Sequence, residues 1–140
     1  MAGGSLLGRV RRLLGVFVKQ RGFCVTAEGD QTDSFGACVQ LSSSEFVVHV
    51  IRDRGQEWIT VGSKIRPKPR APLRSWPLGS VVAFLDGRSD PYPVLDLATE
   101  ARWLKQRASE ILDSSVINSE ELRTWAVRAS RRMFGQRAKT

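Results

Sequence analysis

The chain has 140 residues, of which 41% are hydrophobic and 26% are charged, and its formal net charge is +8. This length fits one domain, and the apolar fraction suffices for a packed core, so a wholly disordered chain is excluded. Two cysteines and one histidine are too few for a disulfide-stapled scaffold or a four-ligand zinc site. No segment approaches the roughly 20 apolar residues of a membrane-spanning helix. We therefore expect a cytoplasmic protein that needs no cofactor and no metal.

The positive charge is concentrated in three segments. Residues 1–27 and 64–74 carry five basic residues each, residues 123–140 carry six, and none of the three contains an acidic residue. Acidic residues outnumber basic ones in the two segments between them. This segregation predicts basic ends and one basic loop around a mildly acidic folded centre.

Residues 5–21 have the pattern of an amphipathic helix. This helix lies within the basic N-terminal segment of residues 1–27. The apolar residues at helical spacing are Leu6, Val10, Leu13, Leu14 and Phe17. Three interpretations are open: a helix packed on the domain, a helix on a membrane surface, or an arginine-bearing targeting peptide.

Three β-rich runs predict an antiparallel meander. They cover residues 35–41, 45–52 and 57–61 and follow a polar connection at 22–33. The linkers between the runs have hairpin length, and Gly55 supplies the positive φ that such a turn requires.

The middle run is apolar on both faces. Alternation places Phe46, Val48 and Val50 on one face and Val47, His49 and Ile51 on the other. We expect Val48, Val50 and Ile51 to be buried and both faces of the strand to be covered.

The C-terminal half predicts a proline-rich loop and then helices. Residues 64–77 contain four prolines and form an extended connection, after which Ser75 can cap a short helix that ends at Gly87. A long amphipathic helix follows over 97–111. Its inward residues are Leu97, Ala101, Leu104, Ala108 and Ile111.

A final helix is predicted to start at Asn118, where Glu121 completes a capping box. Its apolar stripe is Leu122, Ala126, Ala129 and Met133. Gly135 ends it and leaves a basic tail at 136–140. The fold class is thus α+β, with a three-stranded antiparallel meander packed against C-terminal helices in one domain over residues 28–135.

No catalytic arrangement is recognisable. His49 is the one imidazole and alternates with valines in mid-strand, which favours a hydrogen-bonded structural histidine over a general base. Cys24 and Cys38 lie outside any known nucleophile motif, and no phosphate-binding or metal-binding motif appears. We expect a protein that is not an enzyme.

Two basic groups are the candidate partner-binding residues. Arg52, Asp53 and Arg54 belong to the hairpin between the second and third strands. Arg66, Lys68 and Arg70 belong to the proline loop. Turn formation is the favoured explanation of the hairpin residues, and the alternative is a recognition surface in which arginine makes bidentate contacts with carboxylate or phosphate.

One segment resembles a group of small bacterial proteins of unknown function. The residues that carry the resemblance are Phe35-Gly36, the run Val50-Ile51-Arg52-Asp53-Arg54-Gly55-Gln56, the run Trp58-Ile59-Thr60-Val61-Gly62, and a later tryptophan before a short leucine-rich helix. The resemblance spans residues 35–87 and is loosely linked to immunity proteins of toxin competition systems. It implies a protein partner and defines no functional residues.

The leading function is therefore a non-enzymatic protein-binding module of the immunity type, which inhibits a partner protein by occlusion. The alternative is a nucleic-acid-associated protein whose basic segments make non-specific phosphate contacts. A third possibility is contact with a membrane surface through residues 5–21.

Overall fold

Among the described residues, one helix precedes five consecutive strands and five helices follow them, which is the segregated order of an α+β fold. The computed structural model describes residues 5–30, 36–94 and 96–138, and the side chains of all these except 28–30 and 133–138. The strands are β1 (Cys24–Asp30), β2 (Ala37–Ser42), β3 (Phe46–Asp53), β4 (Gln56–Ser63) and β5 (Ser75–Pro77). The helices are α1 (Leu6–Gln20), α2 (Leu78–Leu85), α3 (Leu97–Gln106), α4 (Ala108–Ile111), α5 (Ser114–Ile117) and α6 (Glu120–Ala138).

The sheet is an antiparallel meander of five strands in the order β1-β2-β3-β4-β5. The three predicted strands are present as β2, β3 and β4, although Phe35 lies outside the described residues. The prediction of a polar connection at 22–33 is wrong, because residues 24–30 pair with β2 as an edge strand. The short strand β5 pairs with Thr60–Gly62 and closes the opposite edge.

A two-residue turn joins β3 to β4. Asp53 pairs with Gln56, and the residues between them, Arg54 and Gly55, have φ values of 52° and 80°. Positive φ at both central positions defines a type I′ turn, whose twist matches that of the flanking strands. The turn sets the register that pairs Val50 with Ile59.

The hydrophobic core lies on one face of the sheet, which we call the core face. Its central side chains are Val39, Leu41, Val48, Val50, Ile59 and Val61, and all of them are buried. Helices α1, α2 and α3 pack their apolar sides against this face. On the other face Val47, His49 and Ile51 are only half-buried, so the expected burial of Ile51 is wrong, and within the described residues the core does not extend to that face.

Helix α1 is part of this core. Ser5 caps it by accepting a hydrogen bond from the Gly8 amide at 3.0 Å. The buried stripe consists of Leu6, Val10, Leu14 and Phe17. This is the packed arrangement among the three interpretations of residues 5–21, and the expected domain boundary after residue 27 falls inside β1.

A buried carboxylate connects α3 to the sheet. Glu100 is 2% exposed, and its Oε1 accepts a hydrogen bond from the backbone amide of Ile59 at 2.9 Å. Strand β5 pairs with β4 only at Thr60, Val61 and Gly62. The Ile59 amide therefore has no partner in β5. The carboxylate satisfies a buried donor that would otherwise cost stability.

The predicted helix over 97–111 is broken at Arg107, although its inward residues are all buried as expected. Arg107 leaves helical geometry, with φ −120° and ψ 27°. Its guanidinium pairs with Asp86 at 2.7 Å, beyond the end of α2, and with Glu110 at 3.1 Å. The hydrogen bond from Arg107 holds the pKa of Asp86 below its ordinary value, with a smaller contribution from Tyr92.

Three predicted helix boundaries are wrong. Ser75 belongs to β5, and α2 begins after Pro77. The final helix begins at Glu120, where the Ser119 hydroxyl accepts from the Leu122 amide at 3.0 Å and the predicted capping box of Asn118 is not formed. It continues past Gly135 to Ala138, so part of the expected tail at 136–140 is helical.

The one-sided core predicts opposite outcomes for two valines of the same strand. Val50→Asp places an unpaired charge in the core and should lower the free energy of unfolding by several kcal/mol, or prevent folding. Val47→Asp, on the other face of β3, should cost less than half as much. Urea denaturation of both variants measures this, and equal losses would contradict a sheet covered on one face.

Candidate functional site

The first candidate surface is the side of the sheet on which, among the described residues, the core cluster does not pack, and we call it the open sheet face. Its side chains are Cys38, Gln40, Val47, His49, Ile51, Trp58 and Thr60, which come from β2, β3 and β4. All seven are half-buried, and Val47, Ile51 and Trp58 are absent from the residues that pack against the core. None of the seven carries a formal charge at neutral pH. These seven side chains therefore form a neutral surface on a chain of net charge +8, with the carboxylate of Asp53 on the same side at the turn end of β3.

The strand register arranges this face in cross-strand rows. Cys38 lies opposite Ile51, which in turn lies opposite Trp58. This apolar row is the one nearest the β3–β4 turn. Directly opposed side chains of neighbouring strands are close enough to form a continuous apolar surface.

The next row is polar and internally hydrogen-bonded. His49 Nε2 lies 3.1 Å from Gln40 Oε1, and Gln40 Nε2 donates to Thr26 Oγ1 at 3.1 Å. The Thr26 hydroxyl also lies 2.9 Å from the Ser42 hydroxyl. Because the Gln40 oxygen is an acceptor, His49 donates from Nε2. Burial lowers the pKa of His49, so the neutral imidazole is favoured.

The hairpin residues named as candidates divide between two environments. Arg52 points to the core side, where it pairs with Glu57 at 2.8 Å, and Arg9 of α1 pairs with the same carboxylate at 3.0 Å. Arg54 is exposed in the turn, and Asp53 is half-buried on the side of the open sheet face. Arg54 and Asp53 are therefore presented outward, whereas Arg52 stabilises the hairpin.

The proline-loop residues lie elsewhere. Arg66 folds back and donates to the Ala71 carbonyl at 2.5 Å, while Lys68 and Arg70 are exposed. This loop follows the C-terminal end of β4, whereas the hairpin precedes its N-terminal end. At about 3.3 Å per residue, the eight residues of β4 separate the two groups by more than about 20 Å. They do not form one site.

Arg74, counted in the sequence among the cations of the proline loop, is used internally. Its guanidinium donates to the carbonyl of Asn118 at 2.9 Å and pairs with Glu120 at 2.9 Å. The hydrogen bond from Arg74 also lowers the pKa of the Glu120 carboxyl. Arg74 thereby ties the loop to the junction of α5 and α6.

The two cysteines have no arrangement that supports chemistry. Cys24 lies opposite Ser42 and Cys38 opposite Gly29, so four residues of β2, or about 13 Å, separate them along the sheet. This exceeds the Cα separation of about 7 Å that a disulfide permits. Burial raises the pKa of Cys38, which disfavours the reactive thiolate.

Across residues 5–30, 36–94 and 96–138, no group of three or more His, Cys, Asp or Glu side chains is placed to hold a metal ion. No helix in those ranges is long and apolar enough to cross a membrane.

Comparisons of the chain with protein-family models, with curated proteins and with solved structures give no match. The function must therefore be argued from the geometry of this chain.

Ile51 and Trp58 were not among the candidate residues chosen from the sequence. A usable signal was present, because the two-residue turn places Ile51 opposite Trp58. The sequence does not show on which face of the sheet the helices pack. That packing leaves Ile51 and Trp58 outside the core.

His49 predicts a pH dependence. Its pKa in the folded chain is below the value of about 6.5 expected when unfolded, so the unfolded chain takes up the proton first. The free energy of unfolding should therefore decrease as the pH falls from 8. The decrease begins near the pKa of His49 in the unfolded chain and ends below its pKa in the folded chain. His49→Gln should reduce this loss, because glutamine does not titrate. Thermal melts of both proteins between pH 8 and 5 measure it, and parallel curves would contradict the assignment.

Proposed function

We propose that the chain is a non-enzymatic protein-binding module that contacts its partner through the open sheet face. The observation that carries the proposal is the neutral row of Cys38, Ile51 and Trp58 beside an exposed arginine, Arg54. The centres of protein interfaces are depleted in charge and enriched in aromatic residues, with tryptophan and arginine dominating the binding energy. The open sheet face has this composition.

The size of the face indicates how the contact extends. Seven side chains are fewer than the roughly 20 residues that each partner contributes to a standard interface. The contact must therefore continue past the sheet, and the neighbouring outward residues are Asp53 and Arg54 of the turn. Arg54 favours a partner with a carboxylate at that position.

Occlusion is the mode of action that this surface favours. A sheet face whose apolar row lies beside internally hydrogen-bonded polar side chains can cover a partner's functional surface. Together with the resemblance over residues 35–87, this supports an immunity-type inhibitor of a partner protein.

Two variants test the surface. Ile51→Arg inserts a charge into the apolar row, and Ile65→Arg makes the same change at a residue that is 48% exposed in the loop after β4. The partner is first recovered on the immobilised chain, identified and purified. Its affinity for the Ile51→Arg variant should be at least about 30-fold weaker than its affinity for the parent chain. Ile65→Arg should bind like the parent, and equal losses for both variants would overturn the proposed surface.

The inhibitory role has its own readout. The activity of the purified partner should fall in proportion to added parent chain, and Ile51→Arg should not inhibit it. A partner that binds through this face with its activity unchanged would refute occlusion while leaving the binding module intact.

The nucleic-acid alternative rests on exposed cations such as Lys68, Arg70, Arg128 and Arg131. They are spread over a loop and a helix, and the open sheet face offers no cation. We expect weak binding without sequence preference, falling by orders of magnitude between about 50 and 200 mM salt if six or more phosphates are contacted. Polarisation titrations of duplex and single-stranded DNA and RNA measure this. Tight binding that survives the higher salt would favour the alternative.

A further inference from the structure

A second surface lies on the other side of the molecule, where α1 leaves the edge strand β1 partly uncovered. The groove between them has a volume of about 490 Å³. Val18 and Leu41 line its inner part, and Val16 and Val25 line its mouth, where they are 69% and 41% exposed. This groove is distinct from the open sheet face, because Val25 lies opposite Leu41, a side chain of the core face.

Gly15 keeps this groove open. It lies in the middle of α1, where glycine costs about 1 kcal/mol relative to alanine. A Cβ placed on Gly15 would meet no atom within 4 Å, so packing inside the chain does not require glycine here. A larger side chain at this position would instead project into the groove.

The rim of the groove is cationic. It carries Arg11, Arg12 and Lys19, all of them exposed. Among the side chains that the structure describes, none offers an ion-pair or hydrogen-bond partner to any of the three. In contrast, Arg9 on the same helix is paired with Glu57. The groove thus combines an apolar floor with positive charge that none of the carboxylates whose side chains the structure describes neutralises.

We propose that this groove binds an acidic, amphipathic segment of a partner protein. The apolar side chains of that segment enter over Val16 and Val25, and its carboxylates pair with Arg11, Arg12 and Lys19. The occupant follows from charge complementarity, since a cationic rim around an apolar floor selects anionic flanks around an apolar centre. The proposal does not depend on the function assigned to the open sheet face.

A protein segment fits better than an anionic membrane. Membrane-surface helices insert a broad apolar face of large side chains about 5–10 Å into the lipid. The apolar stripe of α1 is buried in the core, and the exposed apolar side chains at the groove are two valines in a concavity. A concave surface with short side chains accepts a ligand rather than inserting into a bilayer.

The test is selection of a displayed random peptide library on the immobilised chain at low salt. We expect the enriched peptides to be net negative and to hold at least two large apolar residues at helical or alternating spacing. The absence of enrichment, or enrichment of neutral or basic peptides, would overturn the proposal.

Variants then locate the binding of one selected, fluorescein-labelled peptide. Gly15→Phe should fill the groove and weaken binding at least tenfold, whereas Gly15→Ala keeps most of the space and should bind like the parent. The double variant Arg12→Glu, Lys19→Glu should also lose at least tenfold. A matched charge reversal elsewhere, Lys105→Glu with Arg131→Glu, should lose less than threefold. Equal losses in the two charge reversals would overturn the proposal.

Two further measurements separate the alternatives. Ile51→Arg should leave peptide affinity unchanged, so the groove and the open sheet face can fail independently. Vesicles of phosphatidylcholine and phosphatidylglycerol at 3:1 should not sediment with the chain at 150 mM salt. Sedimentation that Gly15→Phe abolishes would assign the groove to a membrane and overturn the protein partner.

Discussion

The turn formed by Arg54 and Gly55 constrains the whole sheet, because it determines which side chains share a face. With Asp53 opposite Gln56, the apolar residues of β3 and β4 meet in pairs, Val50 with Ile59 and Val48 with Val61. Since side chains alternate along a strand, a shift of one residue would transfer half of this core to the other face. The helices pack on this face, and in the described residues the opposite face, with Ile51 and Trp58, stays half-buried.

Electrostatic pairing divides the cations into structural and available groups. Arg9 and Arg52 share Glu57, Arg74 reaches Glu120, and Arg107 joins Asp86 to Glu110. Exposed pairs of this kind are worth at most about 1 kcal/mol each, so their main effect is to orient loops and helix ends. The formal net charge therefore overstates the number of cationic side chains that can contact a partner. The positions of the exposed cations matter more than the net charge.

The open sheet face and the α1–β1 groove differ in the chemistry that they offer. The seven side chains of the first are neutral, with Trp58 the largest, and His49 is hydrogen-bonded to Gln40. The second is concave and has a cationic rim. Complementary partners differ accordingly: an apolar surface with a carboxylate opposite Arg54 for the first, and an acidic segment for the second. A protein that uses both can hold one partner at two points.

The amino-acid sequence by itself determines much of the fold, where the signal is local. Alternation in β3, the turn at Gly55 and the spacing of Leu97, Ala101 and Leu104 each arise from neighbouring residues, and the structure agrees with them.

Strand β1 was missed because Cys24–Asp30 is largely polar and becomes a strand only through its pairing with β2. The break at Arg107 depends on Asp86, which is 21 residues away. Of the candidate residues, Asp53 and Arg54 are presented outward at the turn, whereas Arg52 is held by Glu57, a pairing that the sequence analysis did not consider. Only the tertiary structure decided which sheet face the helices cover, because that choice follows from the packing of α1, α2 and α3 on one apolar surface rather than from any local pattern.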